Sequence, residues 1–162
     1  TAQNMWSNFQ ETVKIYKQGK AYYDALKSVH DLVKGARKVQ QTILLVGDIS
    51  DIYVTNFNTM TGDPNFTVEE LSAIAFGYNR LLKESSNLLL DLKEVTTATG
   101  LSMTDKERLD IINRIYGEVL EYKNLTWYYT RKNIGVSYLR SKEKGDAARV
   151  LSLYGTHEQR YW

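Results

Sequence analysis

Residues 67–97 read TVEELSAIAFGYNRLLKESSNLLLDLKEVTT, and this stretch decides the fold class. It opens on Thr67-Val68-Glu69-Glu70, a capping box. The threonine hydroxyl is placed to take an orphan N–H of the first turn, and Glu70 to reach back to the cap. Leu71, Ile74, Tyr78, Leu81, Leu88, Leu92 and Val95 then follow in alternating steps of three and four, with only Ser85 breaking the series. That spacing lines one face of an α-helix with a coiled-coil-like seam. Thr96-Thr97-Ala98-Thr99-Gly100 ends it, so the helix runs from about 68 to 98. A single amphipathic helix must bury its stripe against other elements, either within this chain or against another copy.

Outward from this helix, the same period recurs on both sides. Downstream, Thr104-Asp105-Lys106-Glu107 is a second capping box, and Leu109, Ile112, Ile115, Val119 and Tyr122 share one face. The pattern turns aromatic at Trp127, Tyr128 and Tyr129 and resumes at Ile134 and Tyr138, giving a helix over about 105–143. Gly145 closes it, and a short helix over about 146–154 follows. Upstream, Thr61-Gly62-Asp63-Pro64-Asn65 is the clearest loop and holds the one proline of the chain. Before it, Leu26, Val29, Val33, Ala36, Val39, Ile43, Val46 and Tyr53 mark a helix over about 4–58. A helix of roughly 50 residues would be about 75 Å long. Such a length requires a protruding rod or a break, and Gly19, Gly35 and Gly47 are the candidate breaks. Short connections oblige neighbouring helices to run antiparallel. The expected fold is one all-α domain over 1–162: an elongated antiparallel bundle of three long helices with a short C-terminal helix.

Composition fits that fold and narrows the chemistry. Of 162 residues, 43% are hydrophobic and 25% charged, and the formal net charge is only +2. The balance gives no overall field that would call for nucleic acid or an acidic membrane. No apolar run approaches the ~18 residues of a membrane span. Without cysteine there is no disulfide, thiol nucleophile or cysteine-based zinc site. Neither a phosphate-binding glycine loop nor a Gly-x-Ser-x-Gly elbow is present. His30 and His157 lack the partners of a di-iron or zinc helix pair and read as surface side chains. Asp63, Asn65 and Thr67 begin like a calcium loop, but Val68 stands where the sharp turn needs glycine, so Asp63 reads as turn chemistry. Asp48 and Asp51 share a helix face and read as solvated. No catalytic residue, metal ligand or cofactor is implied.

Two features rise above this background. The first is a basic helix face: Lys17, Lys20, Lys27, Lys34, Arg37 and Lys38, interleaved with Asp24 and Asp31. A solvated face is the favoured reading, and contact with DNA phosphates or an acidic partner the sharper one. The second is the segment from Tyr122 to Trp162, in which aromatic side chains alternate with arginine and lysine. Core packing, a protein interface and stacking on single-stranded bases all use such residues, in falling order of weight. Trp127, Tyr128, Tyr138, Arg140, Tyr161 and Trp162 are its interface candidates.

At these residues the chain resembles a family of conjugal-transfer proteins encoded on conjugative transposons of Bacteroidetes. The resemblance is carried by Gln18-Gly19-Lys20, Tyr22 to Leu26, Ala36 to Gln40, Ile43 to Tyr53 and Phe66 to Tyr78. It continues through Leu101 to Lys106, Tyr128 to Ile134, Ser137 to Arg140, Leu153-Tyr154-Gly155 and Arg160-Tyr161-Trp162. It covers nearly the whole chain from Gln10 onward. More distantly, it looks like the TrbJ-type minor pilus subunits of type IV secretion systems. The resemblance implies a structural or adhesive protein of the mating apparatus without catalytic residues. It implies export to the periplasm, cell envelope or cell surface after removal of an N-terminal signal, which suits a chain that starts at Thr1. Its expected partners are other proteins of that apparatus, with self-association left open. The alternative is an accessory DNA-binding protein that uses the basic face.

Overall fold

A computed structural model describes residues 35–97 and 102–155, together with residues 7, 10, 11, 13, 14, 16, 17, 20 and 21. Among the described residues every regular element is helical. The order is α1 (Ala36–Thr61), α2 (Val68–Thr97), α3 (Asp105–Glu143) and the short α4 (Ala147–Tyr154). The all-α architecture, three long helices and one short C-terminal helix, is as the sequence patterning predicts.

Contacts between helices fix their directions. The start of α1 lies against the start of α3, where Gly35 faces Leu109 and Ile112. Further along the same pair, Lys123 of α3 meets Asp48 of α1 at 3.0 Å. Arg108 at the start of α3 donates to the carbonyl of Val95 near the end of α2. The α1–α2 loop instead reaches the far end of α3, where Asn65 bonds Ser137 and Ser141. Helices α1 and α3 are therefore parallel, α2 is antiparallel to both, and α4 folds back across the end that holds the loop.

One core runs along the axis. Val46 and Ile49 of α1, Tyr78, Leu82, Leu89 and Leu92 of α2, and Ile112, Ile115, Val119 and Ile134 of α3 are all buried within it. The stripe on α2 is wider than the expected seam. Leu82 and Leu89 are fully buried, whereas Leu81 and Leu88 are only half-buried, so the helix turns slightly toward the second of each leucine pair. Three helices enclose more of a helix surface than a two-stranded coiled coil does.

Both capping boxes form. Glu70 N–H donates to the Thr67 hydroxyl and Thr67 N–H to the Glu70 carboxylate, and Thr104 and Glu107 do the same for α3. Of the rod and the break left open for the first helix, over about 4–58, the described residues show a break. Gly35 sits at φ 94, in the left-handed region, and α1 begins after it. A side chain there would carry the cost of left-handed backbone, so glycine marks the break. Of the other two candidates, Gly47 lies inside α1. A Cβ on it would come within 2.6 Å of the Tyr16 hydroxyl, so this glycine admits a close neighbour instead of a turn. Gly19 lies outside the described residues.

Candidate interaction surface

The first half of α3 is amphipathic in the ordinary sense. Ile112, Ile115 and Val119 face the core, and Glu107, Asp110, Arg114, Glu118 and Glu121 face outward. Carrying the same register forward places Thr126, Thr130, Ile134, Ser137 and Ser141 on the inner side, and all five are fully buried. Four of these are hydroxyl residues. The apolar side chains of the second half lie on the opposite face: Leu125, Tyr128, Val136 and Leu139 are exposed, with Lys132 between them. From about residue 125 the helix is inverted, polar inside and apolar outside.

Burying a hydroxyl without a bond costs free energy, and each of these four is bonded. Thr126 donates to the carbonyl of Tyr122. Thr130 donates to the carbonyl of Thr126 and shares a 2.6 Å hydrogen bond with the Tyr78 hydroxyl. Around that bond the aromatic rings cluster. Tyr53 stacks on Tyr78 at 4.7 Å, and Tyr129 meets Tyr78 edge-on at 4.9 Å. The Tyr129 hydroxyl donates to the carbonyl of Ile74 and lies directly over Gly77, where a Cβ would stand 2.2 Å away. Burial pushes the hydroxyls of Tyr53, Tyr78 and Tyr129 above the ordinary phenol range.

The other two hydroxyls belong to a polar junction centred on Asp63. Its side chain is wholly buried. One carboxylate oxygen accepts from the Asn65 N–H at 2.9 Å, which is the expected turn bond. The other accepts from the Ser137 hydroxyl and from the Tyr154 hydroxyl at 2.8 Å. Arg149 of α4 stands 3.6 Å from the first oxygen. Asn65 extends the network, donating to Ser141 at 2.6 Å and accepting from Lys144 at 3.0 Å. Burial and the bond to Asp63 raise the pKa of Tyr154. Asp63 therefore does more than form a turn: it joins the α1–α2 loop, α3 and α4 in one network. Beside it Arg140 holds Glu70 with two parallel bonds of 2.9 and 2.7 Å and also donates to the Asn65 carbonyl. The Arg140 guanidinium, with help from the Thr67 N–H, lowers the Glu70 pKa to about 2.

The six interface candidates separate accordingly. Trp127 and Tyr128 are exposed on α3. Tyr138 is half-buried against the core, and Arg140 is engaged with Glu70 and the loop. Tyr161 and Trp162 lie outside the described residues. Of the basic face, Lys17, Lys20 and Arg37 are exposed, while Lys38 sits 3.9 Å over the ring of Tyr116. The break at Gly35 separates Lys17 and Lys20 from Arg37 and Lys38, so they do not share one continuous helix face. Lys27, Lys34 and both histidines lie outside the described residues.

Asp48 pairs with Lys123, while Asp51 is exposed. Among the described residues no three His, Cys, Asp or Glu side chains converge as a metal would require, and no helix is long and apolar enough to cross a membrane. No protein-family model, curated protein or solved structure matches the chain.

Proposed function

We propose that this protein is a non-enzymatic structural or adhesive component of a bacterial conjugative transfer apparatus, exported to the cell envelope and acting through contacts with other proteins of that apparatus. The observation that carries the reading is where the resembling segments fall. Ile43 to Tyr53, Phe66 to Tyr78, Tyr128 to Ile134, Ser137 to Arg140 and Leu153 to Gly155 contain Tyr53, Tyr78, Tyr129, Thr130, Ser137, Arg140 and Tyr154. These residues build the aromatic cluster and the polar junction. The resembling segments thus include groups that hold the helices in place, as suits a protein whose role rests on a rigid shape. Among the described residues, the wholly buried Asp63 carboxylate is engaged by the Ser137 and Tyr154 hydroxyls.

Transfer frequency from a donor lacking the gene tests the proposal. Rescue by an exported copy, and none by a copy kept in the cytoplasm, is expected. Rescue by the cytoplasmic copy would favour a role in DNA processing, and undiminished transfer without the gene would refute a required role in mating.

A further inference from the structure

The inverted half of α3 has a cost that the described residues do not explain. Leu125, Tyr128, Val136 and Leu139 are 47%, 53%, 39% and 59% exposed, on a helix whose inner face is filled with hydroxyls. The four lie on one face within about 21 Å of helix. Beneath them Thr130, Tyr129, Ser137 and Arg140 are tied to α2 and to the loop, so the face is held rigid. A pre-organised apolar face loses little freedom on binding.

We infer that this face is a docking surface for an amphipathic helix of a partner protein that carries a carboxylate midway along its apolar stripe. Charge selects this occupant. Lys132 stands at the middle of the stripe and Arg131 beside it, with Lys142 further along the same edge. Arg131 and Lys142 have no ion-pair partner among the described residues. Lys132 rests 5.3 Å from the Tyr128 ring, a contact that an incoming carboxylate leaves intact. A second copy of the same face fits badly. Residues 125 and 139 are equidistant from 132, so parallel or antiparallel pairing of the stripe with itself sets Lys132 against Lys132 at its centre. An anionic lipid surface fits badly too, since a plane laid along α3 also meets Glu107, Asp110, Glu118 and Glu121 on its outer side. A partner helix needs only the apolar half.

The test uses the full chain and a fluorescent three-heptad peptide with leucine on one face and glutamate at its centre, beside the same peptide with lysine there. Binding is read by anisotropy. The glutamate peptide is expected to bind at least about tenfold more tightly, equivalent to about 1.4 kcal/mol. Arg131→Glu with Lys132→Glu should reverse the preference. Leu125→Ser with Leu139→Ser should abolish binding while leaving the melting temperature unchanged. Equal binding of both peptides, or of neither, overturns the inference. So does binding of 3:1 phosphatidylcholine–phosphatidylglycerol vesicles, or a dimer by ultracentrifugation, that the same serine substitutions remove. Peptide binding and transfer frequency are separate readouts, so this inference can fail while the conjugative reading stands, and the reverse.

Discussion

Replacing Asp63 with alanine removes the acceptor at the centre of the polar junction while leaving every donor in place. The Ser137 and Tyr154 hydroxyls each lose a bond to a carboxylate, the Asn65 N–H loses its turn bond, and Arg149 loses a carboxylate 3.6 Å away while keeping its closer pair with Asp146 at 3.1 Å. Hydrogen bonds to charged groups contribute about 1.5–3 kcal/mol each. Relief of the carboxylate's own desolvation offsets part of that sum, and removing one member of a buried charged set costs about 3–5 kcal/mol net. A domain of this kind has about 5–15 kcal/mol in hand. Urea unfolding followed by circular dichroism should therefore show the midpoint fall by about 2 M, with the slope unchanged. Tyr154→Phe should lose about 1.5–3 kcal/mol, and in the Asp63→Ala background it should lose almost nothing, because its partner is already gone. Amide exchange in α4 should quicken in either variant, since Tyr154 and Arg149 are its links to Asp63. Asp63→Ala within 1 kcal/mol of the parent, or strict additivity in the double variant, would show that the junction stabilises nothing and refute the reasoning.

Three further outcomes follow from the same geometry. Gly77→Ala should destabilise by about 1–3 kcal/mol by thermal melting despite alanine's better helix propensity, because its Cβ would displace the Tyr129 ring; Gly117→Ala, where a Cβ meets nothing within 4 Å, should stabilise by up to about 1 kcal/mol. Ser86→Ala should raise the melting temperature, since the buried Ser86 hydroxyl has no hydrogen-bond partner among the described residues and its removal should gain about 0.5–1 kcal/mol. The Glu70 carboxyl titrates at about 2 in the folded protein, below its ordinary 4.5, so its contribution is present above 4.5 and lost as pH falls through 2; the stability difference between the parent and Glu70→Gln should close across that window.

How much of this was legible in the sequence depends on how each group is satisfied. The three long helices and both capping boxes were readable, because leucine spacing and a threonine–glutamate pair report local geometry directly. The break in the first helix was readable only as a choice among three glycines. Left-handed backbone and close packing ask for the same residue, and Gly35 serves the first need while Gly47 serves the second. Asp63 was legible as a turn residue because its bond to Asn65 is two residues away. Its bonds to Ser137 and Tyr154 span 74 and 91 residues, and spacing along the chain cannot announce them. The inverted half of α3 was missed for a different reason. Apolar periodicity counts greasy side chains, and there the inner side chains are hydroxyls; Thr126 and Thr130 bond to carbonyls of their own helix one turn back, which lets them be buried without announcing a partner. The signal was nevertheless present in the register. Extending the frame of Ile112, Ile115 and Val119 past Tyr122 puts Thr126, Thr130, Ser137 and Ser141 inside and leaves Leu125, Tyr128, Val136 and Leu139 outside. Where a helix keeps its register but its apolar residues change sides, the described part of the fold gives the outward face no cover, and the inferred partner helix supplies one.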